Sequence, residues 1–221
     1  MPSDTSFVSR VSVTSRLAVD ELPTRFPWLA SDMEPFLAPA IDLISGGKRA
    51  RARLAHLAWR AAGGESGHEA IVLAGGGLER CQAAALVHDD VIDDAHTRRG
   101  APAAHRRFAA AHRDGRSVGD DGHYGRSAAI LLGDLLLALS QLRMVDAVRS
   151  APNPGDALEI YGGMCAEVAL GQYLDVDAAA HGPGDASALD RAFTVVRHKS
   201  ARYSVERPLV LGATLAGAPQ E

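Results

Sequence analysis

Almost every stretch of this chain repeats its apolar residues at i, i+3 and i+4, the spacing that gathers them onto one stripe of an α-helix. Ala- and Leu-rich segments with this pattern cover Pro35–Ile44, Lys48–Ala62, His68–Asp94, Pro102–His112, Tyr124–Arg149, Asp156–Ala180, Ala186–Arg197 and Ser200–Ala216. Glycine or proline marks the breaks: "SGG" at Ser45, "GGESG" at Gly63, "RGAP" at Arg99, "RDGRSVGDDGHYG" at Arg113, "APNPG" at Ala151 and "HGPGD" at His181. No period-two alternation and no internal repeat is present, so the fold class is all-α. With 221 residues, 47% of them hydrophobic, and no long Gly/Pro tract, one domain over residues 1–221 is expected. The polar stretch "MPSDTSFVSRVSVTSR" makes residues 1–17 a flexible N-terminus in this reading.

Charge and cysteine usage exclude several classes. A net charge of −4, with arginines spread over several segments, gives no basic field for nucleic acid. Cys81 and Cys165 lie inside apolar patterns without metal-ligand spacing and read as small core residues in a reducing compartment. No uninterrupted apolar run reaches about 18 residues and the N-terminus has no apolar core, so no transmembrane segment or secretion is expected and the location is cytoplasmic.

The stretch "LVHDDVIDDAHTRRG" places Asp89, Asp90, Asp93 and Asp94 directly behind the apolar "CQAAALV". At about 3.6 residues per turn, Asp89 and Asp93 share a helix face, Gln82 falls near the same line, and Asp90 flanks it. Carboxylates so crowded need cations. Oxygen donors without His or Cys in register suit a hard ion such as Mg²⁺, which commonly bridges carboxylates to substrate phosphates. Arg98 and Arg99 match phosphate oxygens, and the apolar residues behind suit a greasy slot. A lipid diphosphate fits both halves.

These residues resemble a known family. "HDDVIDD...TRRG" is similar to the first aspartate-rich motif of the trans-isoprenyl diphosphate synthases, the polyprenyl synthetases. Four further motifs follow the family's order: "GGKRARARL" from Gly46, "GDLLLA" from Gly133, "GQYLDVDA" from Gly171 and "HKSARYSVERP" from His198. The resemblance implies an isoprenoid synthase-type helical bundle. It also implies a Mg²⁺-dependent prenyltransferase that condenses isopentenyl diphosphate with an allylic diphosphate into a trans-polyprenyl diphosphate, working as a homodimer. It assigns metal binding to Asp89, Asp90 and Asp93, with Asp94 an optional extra acid, and allylic diphosphate contact to Arg98. Lys48, Arg51, Gln82 and Arg99, with Arg49 beside them, would hold isopentenyl diphosphate. Lys199 would reach the leaving diphosphate and Ser200 the nascent cation, while Gln172 and Asp175 on a facing helix support the site.

In the resembling family, bulky residues before the first aspartate close the floor of the product slot. Here Ala85, Ala84 and Cys81 are small, and Gly75, Gly76 and Gly77 smaller still, so products of geranylgeranyl length or longer are expected, unless Leu135–Leu139 supply a floor. A second aspartate-rich motif does not occur in the 221 residues, and the expectation is a C-terminally truncated, incomplete bundle. Alternatives are a non-catalytic subunit of a heteromeric prenyltransferase and a class I terpene cyclase. The first would usually lose the aspartates, and the second has no need of "GGKRAR". Of the histidines, His88 reads as a packing residue. His56, His68, His96, His105, His112, His123 and His181 read as surface or capping residues, and Glu206 and Arg207 as partners of another helix.

Overall fold

The computed structural model of the protein describes residues 4–29, 33–181 and 187–219. In chain order its elements are α1 (Asp4–Asp20), α2 (Leu22–Arg25), a 3-10 turn (Pro27–Leu29), α3 (Glu34–Ser45), α4 (Ala50–Ala61) and α5 (Glu69–Ile92). A hairpin of β1 (Thr97–Arg98) and β2 (Ala101–Pro102) follows, then α6 (Ala104–Asp114), α7 (Asp121–Val148), α8 (Pro154–His181), α9 (Ala188–Val195), a π-helical segment (Val196–Glu206) and α10 (Arg207–Leu215). Among the described residues the chain is all-α apart from that two-residue ladder. Proline stands in the first turn of α2, α3 and α10, where its missing N–H costs nothing. Left-handed Gly63 and Gly217 follow the ends of α4 and α10.

The N-terminus departs from expectation. Residues 4–20 form a helix because Phe7, Val11, Ser15 and Val19 recur every fourth position and are all buried. The one polar member of that row is satisfied internally, its Ser15 hydroxyl donating to the Val11 carbonyl at 2.7 Å. Residues 1–3 lie outside the described residues, as do 182–186, which hold most of the "HGPGD" break and Ala186, the first residue of a predicted segment. The predicted break between Arg197 and Ser200 does not exist, since the π-helical segment joins α9 to α10 without interruption.

Packing resolves the single expected domain into two compact units. One takes the described residues up to Val8, Arg49–Gly75 and those from Met144 onward; the other takes Ser9–Lys48 and Gly76–Arg143. In the first, α10 crosses α4 so closely that a Cβ on Gly212 would stand 2.0 Å from the Ala55 carbonyl oxygen. Trp59 closes the end of α4, its indole donating to the Glu65 carbonyl at 2.8 Å. In the second, Leu37, Ile44, Val87, Phe108, Leu132 and Leu136 form the core. There the fully buried Arg80 donates to the carbonyls of Thr14 and Ser15 at 2.9 Å each. Gly76 faces Thr14, where a Cβ would lie 2.9 Å from Cγ2, and the Ser140 hydroxyl donates to the Gly77 carbonyl. The bare face of Gly76 thus serves close helix packing.

Helices α5 and α7 are long and apolar enough to cross a membrane by length and composition alone; the apolar window of α5 is 78% buried within the protein and that of α7 44%. His68 is a cap, its Nδ1 accepting the Ala70 N–H at 3.2 Å. His105 and His112 are buried instead, and His56 stacks on Phe7 at 4.0 Å. Cys81 is buried and Cys165 half-buried, and the two are not joined in a disulfide.

Candidate active site

The aspartates end α5 in a specific way. The Ala95 N–H bonds the Asp90 carbonyl at 2.9 Å and the Asp94 N–H the Val91 carbonyl at 3.4 Å, with Asp94 left-handed at φ 49. This is the Schellman closure of a helix, with Asp94 in the place glycine usually takes. Its carboxylate turns to Arg106 at 2.8 Å, so Asp94 is a helix-closing residue paired with α6 and not an extra acid of the cluster. Buried His105 lies 3.8 Å from the same carboxylate, and burial pushes its imidazole below the ordinary range.

Asp89, Asp90 and Asp93 stay together on the last turn. Asp90 is fully buried, Asp89 partly so and Asp93 exposed. Arg98 spans the first two: Nε donates to Asp90 Oδ1 at 2.8 Å and Nη2 to Asp89 Oδ2 at 3.2 Å. The Asp90 hydrogen bond raises the guanidinium's pKa further, against the opposing effect of burial. Asp90 Oδ2 is buried without a hydrogen-bond partner among the described residues, a costly state for a carboxylate oxygen. The donors are all hard oxygens, which suits Mg²⁺; among the described residues no group of three or more His, Cys, Asp or Glu is already converged on a metal position.

Arg98 is delivered by the β1–β2 hairpin, in which Arg98 pairs with Ala101 across a two-residue turn of Arg99 (φ 54) and Gly100 (φ 82). Two left-handed residues in that turn are the primed type that suits strand twist. Arg99 leaves the turn the other way, its Nη1 donating to the Leu43 carbonyl at 2.8 Å. It lies against the bare backbone of Gly46 and Gly47, where added Cβ atoms would stand 3.1 and 3.0 Å from guanidinium nitrogens. The "GGK" and "RRG" motifs therefore meet. A cavity of about 220 Å³ lies there, lined by Asp42, Gly46, Asp90, Arg98, Arg99 and Arg107 among others. Lys48 follows directly and is exposed, whereas Arg49 is 4% exposed and turned inward. Gln82 is half-buried on α5 with Oε1 lacking a hydrogen-bond partner among the described residues.

The other unit assembles the remaining motifs. Lys199 donates to Asp175 Oδ2 at 2.5 Å. Gly171, one turn before Asp175, allows the π segment to reach α8, since a Cβ there would stand 2.5 Å from the Lys199 nitrogen. Gln172 is half-buried beside it, its Nε2 buried and without a hydrogen-bond partner among the described residues, and Ser200 is exposed. Arg51 reaches the same segment from α4: its guanidinium lies 4.4 Å over the Tyr203 ring and its Nη2 donates to Ser204 Oγ at 2.6 Å. The small residues before the aspartates divide, with Cys81 and Ala84 fully buried and Ala85 half-buried.

Sequence reasoning missed Glu167. Its carboxylate accepts from His198 Nδ1 at 2.7 Å, Arg202 Nη1 at 2.8 Å and Arg207 Nη2 at 2.9 Å. Burial pushes its pKa up, but the hydrogen bonds from His198 and Arg207 and the nearby guanidinium charges outweigh this and hold it below the ordinary range. The signal was present as Glu167, Gly171 and Asp175 at four-residue spacing on α8. Arg207 does pair with another helix, as expected, whereas Glu206 pairs locally with Arg202 at 2.9 Å.

The polyprenyl synthetase family model matches residues 34–221, which contain all five motifs. A geranylgeranyl pyrophosphate synthase from Corynebacterium glutamicum, crystallised with isoprenyl diphosphate and magnesium, superimposes with a TM-score of 0.89 at 33% identity. That match covers 96% of this chain and 60% of the other. Geranylfarnesyl diphosphate synthase from Natronomonas pharaonis is 28% identical over 79% of this chain and 49% of its own length. Geranylgeranyl pyrophosphate synthase 11 from Arabidopsis thaliana is 29% identical over 81% of this chain and 47% of its own. The chain thus spans about half the length of the curated relatives it matches. Five motifs in order, their mutual packing within each unit and the family match over residues 34–221 place this chain in the polyprenyl synthetase family.

Proposed function

We propose that the protein is a Mg²⁺-dependent prenyltransferase that condenses isopentenyl diphosphate with an allylic diphosphate to give a trans-polyprenyl diphosphate. The observation that carries this reading is the junction at the end of α5. There two carboxylates share Arg98, and Arg99 lies against the Gly46–Gly47 turn beside one cavity. Asp89, Asp90 and Asp93 would hold Mg²⁺, which when bound neutralises the diphosphate as it leaves.

The remaining roles fall to side chains of the chain itself. Arg98 and Lys199 offer fixed positive charge to the allylic diphosphate, so the allylic C–O bond breaks heterolytically with the electron pair leaving on oxygen. Lys48, Arg51, Gln82 and Arg99 hold isopentenyl diphosphate, whose double bond attacks the allylic cation. The new C–C bond leaves a tertiary cation, which loses a proton to the released diphosphate. The Ser200 hydroxyl lies beside the cation in this reading, while Gln172 and Asp175 support the diphosphate side. Small residues at Ala85, Ala84 and Cys81 favour products of geranylgeranyl length or longer, and the named relatives make geranylgeranyl and geranylfarnesyl diphosphates. A cytoplasmic homodimer completes the proposal.

Incubation of the protein, in a form that spans the full length of its relatives, with Mg²⁺, farnesyl diphosphate and labelled isopentenyl diphosphate should yield labelled polyprenyl diphosphate, and chelation should abolish it. Turnover of the allylic substrate without isopentenyl diphosphate would identify a cyclase instead and overturn the proposal.

A further inference from the structure

The "GDLLLA" motif has no part in the chemistry above, yet its first two residues touch the residue that precedes the aspartates. His88 projects from the last turns of α5 onto α7 at Gly133, where α7 has no side chain. A Cβ there would stand 2.2 Å from His88 Nε2, 2.5 Å from Cδ2 and 2.8 Å from Cε1, so the ring occupies the space that any other residue would fill. The same Nε2 lies 3.2 Å from the Ile130 carbonyl oxygen and 3.3 Å from Asp134 Oδ1. With the proton on Nε2, one N–H serves two acceptors on α7. The ring is thus fixed by shape on one face and by hydrogen bonding at its tip.

The location gives this contact a purpose. Successive helix residues point about 100° apart, so a small rotation of the last turn redirects Asp89 and Asp90 together. We propose that His88, seated in the slot left by Gly133 and bonded to the Ile130 carbonyl, is a positioning residue that fixes the azimuth of the aspartate-bearing turn. The proposal rests on the reading of Asp89, Asp90 and Asp93 as metal carboxylates. It accounts for two features that sequence alone leaves unconnected, the histidine before the aspartates and the glycine of "GD".

The test is titration of the 221-residue chain with Mn²⁺, followed by the electron paramagnetic resonance signal of the free ion, with thermal melting run on every variant. His88→Ala should weaken Mn²⁺ binding about three- to tenfold, at or below the low end for residues that orient ligands, because it acts through the backbone. His88→Gln, whose amide can still donate to the carbonyl, should recover most of that loss. Gly133→Ala should weaken binding to a similar degree by evicting the ring. The double variant should be no weaker than His88→Ala alone, since no ring remains to evict. Mn²⁺ binding by His88→Ala at unchanged affinity would overturn the proposal and leave the metal reading intact. So would additive losses in the double variant, or a His88→Gln that melts normally yet binds no better than His88→Ala. No saturable binding by the unmodified chain, or binding indifferent to Asp89→Asn, would instead overturn the metal reading and the proposal with it.

Discussion

Helix α8 carries glycines that test the packing of the π segment against an internal control. At Gly162 and Gly163 an added Cβ would meet nothing within 4 Å, whereas at Gly171 it would stand 2.5 Å from the Lys199 nitrogen and 2.8 Å from both His198 C and Lys199 Cα. All three obstacles are backbone, so no rotamer change relieves them. Ordinary contact needs about 3.5 Å, so the segment must retreat by roughly 1 Å. That stretches the 2.5 Å contact of Lys199 Nζ with Asp175 toward the limit of hydrogen-bond range. Alanine in a helix gains about 1 kcal/mol over glycine, while overpacking costs about 1–3 kcal/mol. Gly162→Ala should therefore stabilise the protein by up to about 1 kcal/mol and Gly171→Ala should destabilise it by up to about 2 kcal/mol. At about 2–4 °C per kcal/mol for a chain of this size, the two variants should melt several degrees apart, on opposite sides of the parent. Urea denaturation with circular dichroism gives both values. A Gly171→Ala protein as stable as Gly162→Ala would refute the close approach of the π segment to α8, and with it the placement of Lys199.

In a form that spans the full length of the relatives, Asp89→Ala and Asp90→Ala should lower kcat by orders of magnitude, while Lys48→Ala should act mainly on KM for isopentenyl diphosphate; steady-state kinetics with each substrate varied separates the two patterns. Ala85→Phe, at a half-buried position, should shorten the product by blocking added carbons, and chromatography showing an unchanged product would place the floor elsewhere. Glu167→Gln should destabilise the protein by about 1–3 kcal/mol at neutral pH, the scale of hydrogen bonds to charged groups. Because the folded carboxyl sits below its ordinary range, its contribution is complete above the unfolded value and is lost as pH falls through the folded one. Melting curves of parent and variant should therefore converge in the acid range, and a constant gap would exclude an ionised Glu167.

The helices were legible where apolar residues dominate their stripe, and α1 was not, because a serine stands in its buried row and is satisfied by the Val11 carbonyl behind it. The hairpin escaped because strands of two residues show no alternation; "RRG" signals it only through the left-handed turn that Arg99 and Gly100 adopt. The aspartate turn could be read from the chain because its residues are adjacent in sequence. Glu167 could not, since its three partners lie 31 to 40 residues away. Glycine was the least legible residue. Gly133, Gly171 and Gly212 read as members of motifs or as small helix residues, but each is bare because a histidine ring or a distant backbone lies against it.

The hairpin turn also sets a rule on length. Arg98 and Arg99 are neighbours, yet one turns to the carboxylates of α5 and the other to the Gly46–Gly47 backbone. That divergence depends on a two-residue turn with both residues left-handed. One residue added between Arg98 and Ala101 would shift the strand register and reverse the side to which a guanidinium points. Most surface loops drift freely in length over evolution, but this one can accept substitution only, and its length is a more stringent mark of function than its composition.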